Sequence, residues 1–302
     1  MSARKWFAIF LLGLLAPPVA VTHAEVVVTH AEEVDKKGEK EVDTEFIFGF
    51  TAGADVGELG EKELEHQTIT RFGKRDGSYT ALSDQLRAEF VPAANFRFEI
   101  GVPVAFHHIV GVTGLDDRRQ AAFDGLFSEF RYRLLDREHA PFALTVGAEP
   151  HWGRVDETSG EPVDNYGGEL SIAVDRELIK DRVFGALNFV YDPEVTRSRV
   201  TGLWQRDATL GVLTSVTTQV WAGTFVGAEA RYLRKYDGLS LDPFAGEALF
   251  LGPTMFVRFS RAFAISGAWD VQVAGHAVDV PGSLDLRNFT RHQAMFRLEF
   301  SF

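Results

Sequence analysis

Five pairs of opposite charges stand two residues apart in this sequence: Arg87/Glu89, Arg97/Glu99, Glu129/Arg131, Glu229/Arg231 and Arg297/Glu299. Side chains alternate faces along a β-strand, so a spacing of two puts both members of a pair on one face. The opposite face carries an apolar stripe, as in Phe96, Phe98, Ile100, Val102, Val104 and Phe106. Guanidinium and carboxylate groups so placed can neutralise one another, brace a polar interior, or orient a solute moving along it. Arg133 continues the face of Arg131, and Glu149, Glu169, Arg258 and Asp270 are candidates to extend the same wall. A hairpin centred near Ala93 would set Glu89 opposite Arg97 and Arg87 opposite Glu99, two cross-strand ion pairs. Matched charges hold each other better than they attract a solute, so bracing is the main expected role, with a narrow channel beside it.

Residues suited to catalysis are sparse. His107, His108, His151, His276 and His292 are scattered, and His107 and His108 on one strand must face opposite ways, so they cannot share a metal. Ser128 and Ser266 have no histidine at the alternating offset that a serine-dependent lipid hydrolase would need. The Gly-rich stretch 57–60 lacks the lysine and helix of a phosphate loop. No catalytic residue, metal ligand or cofactor is therefore expected.

The charges need strands to carry them, and the last seven residues display the pattern most plainly. Phe296, Leu298, Phe300 and Phe302 share one face; Arg297, Glu299 and Ser301 share the other. A soluble domain seldom ends on its most apolar strand. A strand apolar outside, charged inside and ending on Phe resembles the closing strand of bacterial outer-membrane β-barrels. That resemblance implies that Phe296, Leu298, Phe300 and Phe302 form the signal read by the barrel-insertion machinery.

At the other end, Arg4 and Lys5 precede an apolar run from Trp6 to Leu15, followed by Pro17, Pro18 and small residues. This is the form of a secretory signal peptide over 1–24. Cleavage is expected after Ala24, or after Ala31, because the segment Val21–Glu25 recurs as Val28–Glu32. The run is too short for a membrane-spanning helix. Residues 25–45 carry mixed charge with little apolar content and read as a disordered periplasmic leader. Phe46, Phe48 and Phe50 alternate ahead of a Gly-rich stretch, so residues 46–60 are either a first strand or a plug-like segment at the start of a barrel over 46–302.

Composition narrows the partners. The 302 residues include no Cys, so no disulfide framework holds the fold. The net charge of −12 falls to −14 once Arg4 and Lys5 leave with the signal, which gives no electrostatic reason to bind nucleic acid. Twenty-six Phe against three Met suit strands and interfacial girdles in contact with outer-membrane lipid.

Alternation predicts strands over 61–73, 80–91, 95–110, 121–135, 141–152, 165–175, 183–192, 204–217, 219–236, 246–260, 264–275 and 290–302. Short connections near Ala93, Glu138, Ile179, Gln219 and Arg261 alternate with longer polar ones over 111–120, 153–164, 193–203, 237–245 and 276–289, with a smaller one at 74–79. Short periplasmic turns and long external loops produce this rhythm. The fold class expected is all-β, a transmembrane up-and-down antiparallel barrel of about 12 strands, or about 14 if 46–56 and a partner add two. A periplasmic β-sandwich also alternates, but would not need the signal, the terminal Phe and the loop rhythm together.

Leu126–Glu149 (LFSEFRYRLLDREHAPFALTVGAE) resembles part of the outer-membrane barrels grouped with phenol meta-pathway proteins. Phe48–Glu61, Gly227–Tyr232 and Gly246–Pro253 are similar to other segments of such proteins. The resemblance implies a Gram-negative outer-membrane location and a porin or transporter activity, sometimes linked to aromatic compounds, with no catalytic residue to carry over. The function expected is passive passage of small solutes through a narrow lumen lined by Arg87, Glu89, Arg97, Glu99, Glu129, Arg131, Arg133, Glu229, Arg231, Arg297 and Glu299. A closed structural or surface-interaction barrel is the alternative, and a lipid-modifying enzyme the more remote one.

Overall fold

The computed structural model describes residues 42–302. The expected signal peptide, both cleavage positions and the leader up to residue 41 lie outside the described residues.

Strands form where apolar and polar residues alternate, because only an extended chain sends successive side chains to lipid and lumen in turn. The elements are β1 (Lys62–Phe72), β2 (Ser78–Ala93), β3 (Phe96–Val110), β4 (Arg118–Phe123), β5 (Leu126–Leu135), β6 (Ala143–Val155) and β7 (Pro162–Ile179). They continue as β8 (Val183–Ser198), β9 (Trp204–Trp221), β10 (Thr224–Tyr236), β11 (Phe244–Ser260), β12 (Phe263–Ala277) and β13 (His292–Ser301). Every neighbouring pair is antiparallel, and β1 pairs with both β2 and β13, which closes the sheet. Closure satisfies the backbone groups that lipid cannot.

Thirteen elements make twelve staves. β4 lies along Val104–Ile109 of β3 and β5 along Phe96–Gly101, so the two are one strand broken at Asp124–Gly125. The break is built in: Gly125 has φ 91°, and a Cβ there would meet the Trp152 carbonyl oxygen at 1.8 Å. Asp124 Oδ1 accepts from the amides of Arg154 and Val155 at 2.9 and 2.7 Å. Residues 46–56 form turns and not a strand, so the fourteen-strand alternative does not arise among the described residues.

Outward faces carry an apolar belt that includes Ile100, Phe106, Ile172, Phe189, Leu251 and Phe296. Trp221, Phe259 and Phe302 stand exposed at the short-turn end, Trp204 and Tyr166 toward the other, as interfacial girdles do.

Strand boundaries shift in detail, the turn expected near Gln219 falling at 222–223 because β9 runs on to Trp221. The loop expected over 193–203 shrinks to 199–203 because β8 runs on to Ser198; beyond Tyr191 the outer face carries Pro193, Val195 and Arg197 in place of a large apolar stripe, and the ladder outlasts the alternation that announced it. The hairpin centred near Ala93 is displaced by one residue. Its turn is Ala94–Asn95, with Asn95 at φ 64°, so the register pairs Glu89 with Glu99 and Arg87 with Gly101.

Candidate functional site

The displaced hairpin sets Glu89 opposite Glu99, and the register of β3 with β5 likewise sets Glu99 opposite Glu129 and Arg97 opposite Arg131. Diagonal reach restores the pairing. Arg87 Nη1 lies 2.7 Å from Glu99 Oε1, and Arg97 Nη1 lies 3.2 Å from Glu89 Oε2. Arg97 Nη2 also lies 2.5 Å from Glu129 Oε2. Side chains in diagonal positions are within reach of an arginine, which is why the contacts survive the shift.

Residues 42–56 lie among these groups, inside the short-turn half of the barrel. The segment doubles back, the Gly53 amide donating to the Glu45 carbonyl at 3.1 Å. The turn is so close that a Cβ on Gly53 would meet the Thr44 carbonyl oxygen at 2.1 Å. Thr44 and Glu45, assigned from sequence to the leader, are buried here, so the ordered inner segment starts earlier than residue 46.

Each side of the segment is held by a different strand. Glu45 pairs with Arg97 and lies 3.9 Å from Arg131 Nη1. Arg131 also donates to the Gly53 carbonyl. Arg133 Nη1 lies 3.1 Å from Asp55 Oδ1. Glu229 accepts from the amides of Phe50 and Thr51 at 3.1 and 3.0 Å and from the Thr51 hydroxyl at 3.0 Å. Arg231 stacks 3.8 Å from the Phe50 ring centre while its Nε lies 2.5 Å from Asp270 Oδ2. Arg297 covers the Phe46 ring at 4.2 Å, and Arg258 Nη2 lies 2.7 Å from Asp43 Oδ2. Glu299 stands 3.5 Å from the Ser266 hydroxyl.

Below the charges lies an apolar seat. Ile47 and Phe48 are fully buried against Phe184, Ala186, Phe225, Phe256 and Ala264. Phe46, Phe48 and Phe50, which alternate as a strand would, are turn residues whose rings pack on the wall. Gly49 makes this possible: its φ is 86°, and a Cβ would meet Glu229 Oε1 at 2.5 Å.

Sequence reasoning missed four of the holding residues. Arg137 pairs with Asp175, donates to the Thr44 hydroxyl at 2.7 Å and to the Val42 carbonyl at 3.1 Å. Asp175 accepts from the Ala54 amide at 2.7 Å. Asn188 grips Ala52 through both amide atoms, at 2.6 and 2.9 Å, and Thr145 donates to the Ala54 carbonyl at 2.5 Å. Asn188 breaks the run Phe184, Ala186 on an inward face, a signal that was available; Arg137 sits in a turn, where no period marks it.

The long-loop half holds other contacts. Lys235 pairs with Asp207, and His151 Nε2 lies 3.4 Å from Glu194 Oε1. Loop 156–161 bends over the interior: the Tyr79 hydroxyl donates to the Thr158 carbonyl at 2.9 Å, and Arg71 Nη2 lies 2.5 Å from Glu157. Lys74 donates to the carbonyls of Arg287 and Phe289 in loop 278–291, at 3.0 and 2.9 Å. Burial lowers its ammonium to about 8, against the pull of Asp285 and Glu157.

A family model described as "Family of unknown function (DUF6662)" matches residues 40–302. No curated protein sequence matches the chain. Among solved structures, a COG4313 outer membrane channel from Pseudomonas putida F1 is similar at 14% identity and TM-score 0.54, covering 87% of this chain and 100% of that one. The NanC porin aligns at 13% identity and TM-score 0.47 over 78% of this chain and 98% of its own. The translocator domain of the autotransporter NalP from Neisseria meningitidis aligns at 12% identity and TM-score 0.49 over 82% and 91%. The likeness to the Pseudomonas channel shows the fold, an outer-membrane-type β-barrel.

Proposed function

The chain belongs to the DUF6662 family, and we propose that it is a Gram-negative outer-membrane channel for small solutes, gated by its own residues 42–56. The observation that carries this reading is the hold on the inner segment: charged and polar wall residues on several strands grip it, over a small apolar seat. Salt bridges and hydrogen bonds of this kind can exchange partners without unfolding the barrel, whereas a purely apolar plug would have to be extracted into water.

In this reading Arg87, Glu89, Arg97, Glu99, Glu129, Arg131, Arg133, Glu229, Arg231, Arg297 and Glu299 line the lumen in two capacities. With the segment seated they brace it; with the segment displaced their charges face the passing solute. The apolar face Phe296, Leu298, Phe300 and Phe302 meets outer-membrane lipid and serves the insertion machinery. The resemblance to phenol meta-pathway barrels makes small aromatic compounds the first solutes to test. Liposome swelling with graded solutes checks the reading: swelling should be slow with the whole chain and fast with a variant lacking 42–56.

A closed structural or surface-interaction barrel is favoured by one observation, the bending of loop 156–161 over the interior at the end opposite the segment. If the deletion variant folds and neither conducts nor swells liposomes, that second reading replaces the first.

A further inference from the structure

We propose that the wall beside the inner segment contains a divalent-cation site of the calcium class, formed by Glu63 and Glu65 of β1 with Glu89 of β2. One oxygen from each carboxylate can be chosen so that all three lie within 4.8 Å of one another. Opposite ligands on a calcium ion, at 2.3–2.6 Å each, stand about 4.6–5.2 Å apart, so one ion fits among them with little movement. All donors are carboxylate oxygens, which suits calcium or magnesium and disfavours zinc or copper. The tighter octahedron of magnesium would need the three to close in further.

A cluster of acids alone would be unremarked, but these are buried and undersupplied with donors. Glu65 is 1% exposed, and neither of its oxygens accepts a hydrogen bond from any described residue. Its nearest cation, Arg297 Nε, is 3.3 Å from Oε2 and is off hydrogen-bond alignment. Glu89 Oε2 is likewise buried without a hydrogen bond, 3.2 Å from Arg97 Nη1. That guanidinium is shared with Glu45, Glu99 and Glu129. Glu63, partly buried, accepts only the Ser301 hydroxyl among the described residues.

The register supplies the second argument. Glu63 stands directly across from Glu89, and Glu65 directly across from Glu299. Like charges in direct opposition destabilise a strand pair unless something neutralises them. Arg87, directly across from Glu65, is engaged by Glu99 and Glu149, so with Arg97 and Arg297 the guanidinium groups are too few for the carboxylates that face them, and a bound dication supplies the missing charge. It also relieves Arg97 of Glu89, leaving that guanidinium to Glu45 of the inner segment.

The test is calorimetric titration of calcium into the mature chain, folded in detergent and freed of metal with a chelator, with magnesium as comparison. It does not depend on conduction, so it stands or falls apart from the channel reading. One saturable site per chain is expected, weakened at least tenfold in Glu65→Gln and in the more exposed Glu63→Gln, each checked for folding by its heat-modifiable gel mobility. Asp136→Asn with Glu138→Gln, at an exposed acidic turn, should leave binding unchanged. Absence of a saturable site in the unmodified chain overturns the proposal, with shared protons then the neutralising agent. Binding that survives Glu63→Gln and is lost in the turn variant overturns it as well.

Discussion

Arg97, on the inner face of the barrel wall, and Glu45, in the segment that fills the barrel, form an ion pair in which both side chains are almost wholly buried. Such a pair is costly to break one-sidedly, at about 3–5 kcal/mol when a partner is removed, because the remaining charge stays buried. Here that rule has an asymmetry. Arg97 without Glu45 still has Glu89, Glu99 and Glu129 beside it, whereas Glu45 without Arg97 has, among the described residues, only the Arg131 guanidinium at 3.9 Å.

Glu45→Gln should therefore loosen the segment and leave the barrel intact. In planar bilayers the variant is expected to open more often than the unmodified chain. Identical traces from both would count against Glu45 as an anchor.

Asn188 holds Ala52 through a donor and an acceptor at once. Asn188→Ala leaves two buried backbone groups unmet, a cost of about 1–3 kcal/mol each. Hydrogen exchange at residues 50–54 should accelerate accordingly, while the ladder of β8 with β9 keeps its protection. Uniform acceleration across β8 would mean that Asn188 serves the wall and not the segment.

Lys74 gives a pH dependence whose sign follows from its lowered value. Docked under loop 278–291 its amine releases the proton near 8, whereas a free lysine keeps it to about 10.4. Between those values the undocked state binds more protons, so raising the pH favours docking. Loop exchange, corrected for its intrinsic pH dependence, should slow from pH 7.5 to 9.5 and lose that trend in Lys74→Met. Protection that falls over the same interval would reverse the assignment.

Removing Phe302 should reduce insertion far more than stability. The side chain is 78% exposed, so little packing is lost, although its amide donates to the Lys62 carbonyl at 3.0 Å. Refolded in detergent, the truncated chain should melt close to the full one; expressed in cells, it should accumulate outside the outer membrane. Normal insertion would remove the signal role.

The barrel was legible because its constraint is periodic. Lipid outside and polar groups inside impose a period of two, which Phe96–Phe106 and Phe296–Phe302 carry openly. The inner segment was not, because its residues answer to partners far away in sequence. Phe46, Phe48 and Phe50 have the spacing of a strand and the fate of turn residues, for Gly49 and Gly53 fold the chain where the wall leaves room. Charge pairing was legible as composition but not as register. Moving one hairpin centre by a single residue exchanged Glu89–Arg97 opposition for Glu89–Glu99, and only the length of arginine kept the contacts.

If the channel is gated as proposed, seating of residues 42–56 governs passage through the barrel. Since the chain has no cysteine, Ala52→Cys with Asn188→Cys can be joined by a short reducible thiol cross-linker without competing reactions. Single-channel conductance of that protein is the decisive measurement. Silence is expected while the link is intact and openings once reductant is added; equal conductance in the two conditions would overturn gating by the segment.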